Sequence, residues 1–358
     1  MSSEYGKTLK ISIFGESHGK AIGVNIDGLP AGESIDLCAL YDFMSRRAPG
    51  KSALTTHRKE KDQPIFLSGI TNGKTNGFPL CAIIENSDTR SGDYSGFENT
   101  PRPSHADYTA YLRYGGHADM HGSGHFSGRL TAPLCIAGGI AKQILENRNI
   151  FVGAHLYSIG EVCDAPFPLH PTQTLFNDIV KRELAVIDES VIDSMKNAVA
   201  DAAENLDSVG GIVECAVIGF PEGIGTPMFD GIENRLAHAL FGIPAVKGVE
   251  FGAGFSAAKS LGSLNNDPFT VQDDRIVTTT NNSGGIVGGI SNGMPIIMRT
   301  AFKPTPSIMQ QQQTVNISAL ENTTLTIKGR HDPCVVLRAV PVVEAVAATV
   351  MLDLLIGG

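Results

Sequence analysis

The sequence predicts a single α+β domain in which helices combine with mostly antiparallel strands. The β-prone run 9–14 ends at a glycine-bracketed turn and resumes as the run 21–27, a pattern typical of strands joined by a tight turn. Helical patterns follow later in the chain, and no stretch of disordered composition divides its 358 residues. That length provides an ample core, so we expect residues 1–358 to form one domain.

Periodicity and flanking turn residues place the elements in order. Strands are predicted at 9–14, 21–27, 78–85, 151–162, 212–218 and 295–301. Helices are predicted at 34–47, 134–145, 192–206, 231–240 and 342–355. The second of these helices is apolar nearly all round, so we expect it to be buried. Pro341 suits the entry to the last helix, and Asp353 interrupts its apolar run, which favours a core helix.

Charge and composition argue against some classes of protein. The formal net charge is −9 at pH 7, which argues against nucleic-acid binding, although a local basic cleft can still attract a small anion. The six cysteines are widely spaced and form no Cys-x-x-Cys pair, so we expect reduced thiols in a cytoplasmic protein. No signal peptide precedes Ile11 and no apolar run reaches membrane-spanning length, so we expect no membrane partner.

Two polar clusters, one between a glycine and a proline and one between two glycines, are candidates for chemistry. Residues 329–334 (GRHDPC) place a fixed cation, an imidazole and a carboxylate on three successive positions. Residues 15–19 (GESHG) form the turn between the first two predicted strands and expose their side chains at a sheet end. His18 in that turn is either a functional imidazole or a solvated turn residue, and the sequence supports the two interpretations about equally.

The segment 102–128 is polar and rich in glycine. Its histidines at 117, 121 and 125 share a four-residue spacing that suggests a metal-binding helix, but four interspersed glycines oppose a helix. A glycine loop that offers backbone N–H groups to an anion is favoured instead, and we expect no metal site.

Arginines stand at the ends of two predicted helices. Arg129 lies at the entry to the buried helix, where an arginine can bind a phosphate or carboxylate or can form a structural ion pair. Arg46 and Arg47 end the first helix, where cations interact favourably with the helix dipole. The sequence alone leaves both the binding and the structural interpretation open.

Six short motifs are spread over essentially the whole chain. They are residues 15–19 (GESHG), 102–108 (RPSHADY), 245–250 (AVKGVE), 288–293 (GGISNG), 303–305 (KPT) and 329–334 (GRHDPC). Their order and approximate spacing resemble the chorismate synthase family. The resemblance implies 1,4-elimination of phosphate from 5-enolpyruvylshikimate 3-phosphate, which gives chorismate and requires reduced flavin mononucleotide (FMN) without net redox change. It also implies a homotetramer whose helical layer is sandwiched between antiparallel β-sheets.

The resemblance assigns roles to five residues. His18 would be the acid that assists phosphate departure, and His105 would stabilise or protonate the reduced flavin. Asp332 would be the base that acts near flavin N5. Arg47 and Arg129 would bind the phosphate or carboxylates of the substrate, which needs several fixed cations in one cleft.

Twelve further positions match flavin-contacting positions of the family. They are His125, Phe126, Ser127, Pro244, Ala245, Gly288, Lys303, Pro304, Thr305, Pro306, Ser307 and Arg330. The sequence shows no separate nicotinamide domain or dinucleotide fingerprint, so an external flavin reductant is favoured over reduction by NADPH within this chain.

Several positions depart from the family pattern. Residues 125–131 read HFSGRLT where the family usually has RSSARET, so an arginine and a glutamate are replaced by His125 and Leu130. Ala53 stands where the loop after Gly50 usually carries another arginine. These departures define an alternative hypothesis, a catalytically silent paralogue that binds flavin or another anionic ligand.

Overall fold

The computed structural model describes residues 3–48, 62–86, 99–327 and 332–357. Within them the helices are α1 (Leu37–Arg47), α2 (Asp107–Tyr114), α3 (Thr131–Glu146), α4 (Gln173–Lys181), α5 (Ile192–Glu204), α6 (Ile232–Leu240), α7 (Gly262–Asn265) and α8 (Val336–Gly357). The strands are β1 (Glu4–Tyr5), β2 (Lys10–Gly15), β3 (Ala21–Asp27), β4 (Ile65–Ser68), β5 (Ile70–Thr71), β6 (Lys74–Thr75), β7 (Leu80–Glu85), β8 (Phe151–Ile159), β9 (Val162–Cys163), β10 (Gly211–Ile218), β11 (Val246–Phe251), β12 (Phe269–Gln272), β13 (Arg275–Thr278), β14 (Ile286–Val287), β15 (Ile290–Ser291), β16 (Ile296–Phe302), β17 (Gln312–Asn316) and β18 (Glu321–Leu325).

Two five-stranded antiparallel sheets form the framework. The first has the strand order β1-β2-β3-β7-β4 and the second the order β11-β16-β10-β8-β9. Strands β2 and β3 pair without a register shift up to Gly15 opposite Ile22, so the polar turn at 15–19 closes a regular hairpin. The predicted antiparallel pairing is therefore confirmed.

Helices α3 and α8 lie between the two sheets. They pack against each other, while α3 contacts β3 and β7 of the first sheet and α8 contacts β8 and β10 of the second. Gly138 permits this close packing, because a Cβ there would lie 2.3 Å from the Cβ of Ala345. The predicted α+β class, with a helical layer sandwiched between antiparallel sheets, is confirmed.

The last helix, α8, is longer than the sequence predicts. It begins at Val336 and not at residue 342, so Pro341 lies inside the helix. Most of α8 is buried, and this packing outweighs the loss of the hydrogen bond that a proline cannot donate.

With 22 residues, α8 is long and apolar enough to cross a membrane, which corrects the prediction that no apolar run reaches that length. Its most apolar window is 89% buried, as expected for a core helix.

The buried carboxylates of α8 have partners in the core. Asp353 is fully buried, forms an ion pair with Arg235 and accepts backbone hydrogen bonds from the connection between β1 and β2. Glu344 accepts hydrogen bonds of 2.9 and 2.7 Å from the two terminal nitrogens of Arg46. Arg46 therefore ties α1 to α8, which is a structural role beyond its favourable position at the end of α1.

Helix α2 was not detected in the sequence. Only Ala110 among its 8 residues is buried, so no apolar face marks the helix. It ends at Gly115, whose φ of 60° is left-handed. The three evenly spaced histidines follow beyond that end, and the 3-10 segment His121–Phe126 contains left-handed residues. The prediction that these histidines do not share an α-helix is confirmed.

Candidate active site

A cavity of about 1420 Å³ is lined by segments that are distant in the sequence. Its walls come from β2, the region from α2 to the start of α3, the connection between α6 and β11, the residues after β16, and α8. The residues predicted from the sequence that line it are Arg47, His105, His125, Phe126, Ser127, Arg129, Pro244, Ala245, Lys303, Thr305, Pro306, Ser307 and Asp332. The fold thus brings most of the predicted site residues around one space.

Three of the other predicted site positions are placed differently. Pro304 adjoins lining residues but is not itself part of the wall, and Gly288 lies in the turn between β14 and β15, also outside the wall. Arg330 lies outside the described residues, as does Ala53. The roles given to the site residues, on the cavity wall or outside it, remain predictions.

His18 does not itself line the cavity, but its ring contacts Gly122, which does. The two residues are so close that a Cβ at position 122 would stand 1.9 Å from Nδ1 and Cε1 of the imidazole, and Gly122 lines the cavity. Both ring nitrogens of His18 are shielded from solvent, and the N–H of Ser17 donates a 3.1 Å hydrogen bond to the carbonyl of Gly124. The turn is thus docked against the loop before α3, and His18 is not a solvated turn residue.

Arg47 and Arg129 share one carboxylate. Asp62 is buried and pairs with both guanidinium groups, while Arg47 also donates to Thr131 Oγ1 at 3.2 Å and Arg129 Nε to Asn86 Oδ1 at 3.2 Å. Burial alone would raise the pKa of Asp62, but the charges of the two arginines lower it below its usual range. The ionised carboxylate balances one of the two positive charges, so the cluster keeps a positive excess for an anion.

Arg102, His105 and Asp107 form a second cluster on the cavity wall. Asp107 accepts hydrogen bonds of 2.7 Å from both Nε and Nη2 of Arg102, and His105 Nδ1 lies 2.7 Å from Asp107 Oδ1. Burial alone would raise the pKa of Asp107, but these hydrogen bonds hold it well below its usual range. Arg102 Nη2 also donates to Ser123 Oγ at 3.2 Å, which joins this cluster to the loop beneath His18.

Asp332 lies on the cavity wall beside Arg338. Arg338 Nη1 donates to Asp332 Oδ2 at 2.7 Å, and Arg338 Nε donates to the carbonyl of Arg47 at 2.9 Å. Burial and the charge of Arg47 lower the pKa of Arg338, and Asp332 opposes that shift. Sequence reasoning missed Arg338, although a charged residue near the start of an otherwise apolar helix was an available signal.

His125 uses both ring nitrogens within the protein. Its Nδ1 lies 2.8 Å from the carbonyl of Gly15, so Nδ1 carries the hydrogen and donates, while Nε2 lies 2.7 Å from Ser3 Oγ and can accept from the hydroxyl. The imidazole offers at most two N–H groups, and both ring nitrogens already have partners within the protein, whereas the guanidinium of the family pattern at this position offers five. Its neighbour Phe126 is partly exposed, with its ring 6.4 Å from that of Tyr114.

The segment 303–307 connects the clusters. Lys303 Nζ donates to the carbonyl of Ser104, and Thr305 Oγ1 donates to the carbonyl of Asp332 at 2.9 Å. Burial, reinforced by the charge of Lys247, lowers the pKa of Lys303. Lys247 also lines the cavity, so this side of it holds two ammonium groups suited to an anionic ligand.

In the part of the chain that the structure describes, no group of three or more histidine, cysteine or acidic side chains is arranged to hold a metal ion. The described wall of the cavity carries arginine and lysine cations, the imidazoles of His105, His117, His125 and His238, and the carboxylate of Asp332. Together they suit an anionic ligand whose reaction moves protons.

Comparison with known proteins identifies the family. The family profile described as chorismate synthase matches residues 9–356. The chain is 45% identical to a chorismate synthase of Lancefieldella parvula, over 99% of this chain and 96% of the relative. It is 46% identical to one of Dehalococcoides mccartyi, with the same coverage, and 46% identical to one of Thermococcus kodakarensis, over 97% of this chain and 96% of the relative. A crystal structure of chorismate synthase superposes with a TM-score of 0.78 at 27% identity and covers 98% of this chain and 93% of that one. The chain belongs to the chorismate synthase family.

Proposed function

We propose that the chain converts 5-enolpyruvylshikimate 3-phosphate to chorismate by 1,4-elimination of phosphate, with reduced FMN as cofactor. The observation that carries the proposal is the convergence of His105, Asp332 and the Arg47–Asp62–Arg129 cluster around one cavity. These groups come from motifs more than 200 residues apart in the sequence, as His105 and Asp332 illustrate. Family membership supports the same reaction.

The residues of the cavity fit a flavin together with an anionic substrate. Its volume of about 1420 Å³ exceeds the roughly 300–1,000 Å³ that is usual for one small ligand. An apolar wall formed by Leu134, Val342 and Val346 suits an aromatic ring system, and Lys247 and Lys303 suit a phosphate group. When bound, reduced FMN supplies transient electron density to the substrate.

The chain's own residues would bind charge and move protons. The substrate carries a phosphate and two carboxylates, and Arg47 and Arg129 provide fixed positive charge for them. As the C–O bond to phosphate breaks, negative charge develops on the leaving oxygen, and a protonated His18 would donate a proton to it. Asp332 would accept the proton lost from the ring carbon, with Arg338 holding Oδ2 of the carboxylate.

The position of Asp62 has a consequence for substrate binding. A substrate anion would compete with the Asp62 carboxylate for the same two guanidinium groups. Binding of the anion would therefore replace some of the existing hydrogen bonds to Asp62. Arg129 is also held by the N-cap hydroxyl of Ser127, which accepts from its backbone N–H at 3.3 Å. The arginine cluster is therefore built before the ligand arrives, which lowers the ordering cost of binding.

A homotetramer is part of the proposal. Eight large apolar side chains within residues 228–276 are at least 70% exposed, which is typical of a surface covered by another protein chain. They are Met228, Phe229, Phe255, Leu261, Leu264, Phe269, Val271 and Ile276. Gly288 does not line the cavity of its own chain, and the neighbouring Val287 is exposed. In the proposed tetramer, Gly288 would therefore contact a flavin bound to a neighbouring copy of the chain.

We also propose a cytoplasmic location and an external flavin reductant. All six cysteines are free thiols, three of them buried, which suits a reducing compartment. Burial raises the pKa of Cys135 to about 12 and that of Cys334 to about 11, so these thiols are inert. The proposed elimination needs FMN in its reduced form. A separate reductase, or added dithionite in an assay, would supply the electrons that reduce it.

Anaerobic turnover tests the proposal. The expected result is release of phosphate from 5-enolpyruvylshikimate 3-phosphate with reduced FMN and none with oxidised FMN. Phosphate release at the same rate without reduced flavin would contradict it. A parallel reaction with oxidised FMN and NADPH tests whether the chain reduces its own flavin.

A catalytically silent flavin binder is the competing function. It is favoured by His125, whose two ring nitrogens are already engaged by Gly15 and Ser3 where the family has an arginine, and by Leu130, which is buried in the hydrophobic core where the family has a glutamate. It predicts flavin binding, measured by flavin fluorescence, without phosphate release under anaerobic reducing conditions. Phosphate release in that assay would exclude it.

A further inference from the structure

The side chains of Arg102, His105 and Asp107 close a hydrogen-bonded ring at the start of α2. Asp107 accepts from the backbone N–H of Arg102 at 2.9 Å and from its Nε and Nη2 at 2.7 Å each. His105 Nδ1 lies 2.7 Å from the same Oδ1 that accepts from Nη2. The exposed fractions of the side chains are 4%, 13% and 9%, so the ring is shielded from water while His105 still lines the cavity.

For the neutral imidazole of His105, this geometry selects one tautomer. An ionised carboxylate can only accept hydrogen bonds, so the 2.7 Å contact requires the hydrogen to be on Nδ1. The 3.1 Å approach of Arg102 Nη2 to Nδ1 is then a contact between two donors that share one carboxylate oxygen. With Nδ1 engaged by Asp107, Nε2 is the ring nitrogen left to meet a ligand in the cavity.

We propose that Asp107 is a positioning residue that holds His105 in the Nδ1–H tautomer and presents Nε2 to the ligand. Arg102 fixes the carboxylate in turn, through three hydrogen bonds, and so completes a rigid support for the imidazole. The effect on turnover rests on the proposed function, whereas the tautomer is a property of the ligand-free chain.

The same support connects His105 to two other parts of the site. Arg102 Nη2 donates to Ser123 Oγ at 3.2 Å, in the loop that contacts His18, and Nη1 donates to Ser307 Oγ at 3.4 Å, in the segment proposed to contact flavin. Ser123 has a left-handed φ of 76°, which a non-glycine residue adopts only when its surroundings hold it there. Asp107 therefore anchors the guanidinium group that these segments share.

A purely structural role for Asp107 is the competing explanation. An aspartate in the first turn of a helix interacts favourably with the helix dipole, and an Arg–Asp pair stabilises the segment without reference to His105. The two explanations differ in what replacement of the carboxylate by an amide does to the imidazole. The carboxamide of Asp107→Asn can donate an N–H to Nδ1, which favours the Nε2–H tautomer.

Nitrogen-15 NMR of histidine-labelled protein tests the tautomer directly. The signals of His105 are assigned as those lost in His105→Ala. The proposal expects a donor Nδ1 and an acceptor Nε2 in the unsubstituted, ligand-free protein, and a population with hydrogen on Nε2 in Asp107→Asn. An unsubstituted protein whose His105 carries its hydrogen on Nε2 would overturn the proposal, even if the variant failed to fold.

A double-mutant cycle tests the effect on catalysis. Asp107→Asn is expected to lower kcat roughly 10- to 100-fold, as loss of an orienting partner does elsewhere. In a His105→Ala background the same change is expected to cost less than about threefold, because the residue it acts through is gone. An equal loss in both backgrounds would assign Asp107 a role independent of His105 and overturn the proposal.

A matched control exists in the second sheet. His155 Nδ1 lies 2.9 Å from Asp164 Oδ2, both side chains are buried, and neither residue lines the cavity. Asp164→Asn should lower stability but leave the NMR signals of His105 and the kcat of the folded protein unchanged. If it changed them as much as Asp107→Asn does, the effect would be a general one of destabilisation, and the assignment would be overturned. If the unsubstituted protein releases no phosphate, the proposed function fails, while the NMR result still decides the tautomer.

Discussion

The imidazole of His18 lies directly against the backbone of Gly122. A Cβ at position 122 would stand 1.9 Å from two atoms of the ring, a separation that real side chains do not tolerate. Gly122 also has a left-handed φ of 59°, which favours glycine. The glycine-rich loop before α3 therefore packs directly against the imidazole. Glycine is required at position 122 both by this contact and by the left-handed backbone conformation.

Gly122→Ala should displace His18 and lower turnover. A shift of about 1 Å in a catalytic group costs roughly 100-fold in rate, so we expect a loss of kcat of that order with little change in the affinity for flavin. Gly115→Ala is the matched control, because Gly115 has a nearly identical φ of 60° but the nearest atom to its Cβ would be 3.8 Å away, on His117. Both changes should introduce about 1 kcal/mol of backbone strain. Only Gly122→Ala also collides with His18, so only it should impair phosphate release. Equal kcat values for the two variants would contradict the contact argument.

Asp62→Asn should destabilise the fold in a manner that depends on pH. The charges of Arg47 and Arg129 depress the folded pKa of Asp62, so its stabilisation is present above the unfolded pKa of about 3.9 and is lost as pH falls through the folded value. At pH 7 we expect a cost of about 3 kcal/mol, since the change leaves buried arginines without their shared carboxylate.

Urea unfolding at several pH values measures this effect. The difference in the free energy of unfolding between the two proteins should shrink as pH falls below about 4. Asp178→Asn, which alters an exposed pair with Lys181, should change stability by less than about 0.5 kcal/mol at any pH. A constant difference between unsubstituted protein and Asp62→Asn down to the acid limit would contradict the assigned shift.

His155 should stabilise the fold at low pH and lose that effect at high pH. Burial alone would lower its pKa, but Asp164 and Glu214, 2.9 and 3.0 Å from its two ring nitrogens, raise it. A raised folded pKa means that the stabilisation is fully present below the unfolded pKa of about 6.5 and disappears as pH rises through the folded pKa. Compared with His155→Gln, the advantage of the unsubstituted protein should fall by up to about 1.4 kcal/mol per pH unit in that window.

Chemical unfolding between about pH 6 and pH 9 tests the sign, because most other ionisable side chains do not titrate there. Activity of the folded variant should stay unchanged, since His155 does not line the cavity. An advantage that grows with rising pH would show that His155 is neutral in the folded protein.

The local elements of the fold were predictable because each has its own periodic signal. Strand β3 occupies Ala21–Asp27 as predicted, and α3 and α5 lie within a few residues of their predicted limits. The limits of α8 were not predictable, since Pro341 signals a helix start locally while burial between two sheets carries the helix through it.

The composition of the site was predictable only in part. Motifs and their resemblance to a family identified His105, Asp332 and the arginines, but pairing is a tertiary property. Asp62 lies 15 residues from Arg47 and 67 from Arg129 in the sequence, and no spacing rule joins them. His331, the imidazole between Arg330 and Asp332 in the sequence, lies outside the described residues.

Arg338→Lys should impair turnover although it keeps the positive charge. The planar guanidinium of Arg338 spans two acceptors, Asp332 Oδ2 at 2.7 Å and the carbonyl of Arg47 at 2.9 Å, and a single ammonium group cannot reproduce that fork. Asp332 would then lose its fixed orientation, and we expect kcat to fall roughly 10-fold or more while the affinity for substrate changes less.

Arg46→Lys is the matched control, because Arg46 also donates two hydrogen bonds to one partner, Glu344, but does not line the cavity. It should lower the free energy of unfolding and leave kcat of the folded enzyme within about twofold, well below the effect of losing an orienting partner in the site. Equal losses of kcat in the two variants would indicate that Arg338 only supports the helical layer, whereas a selective loss in Arg338→Lys would support its proposed role in orienting the Asp332 carboxylate.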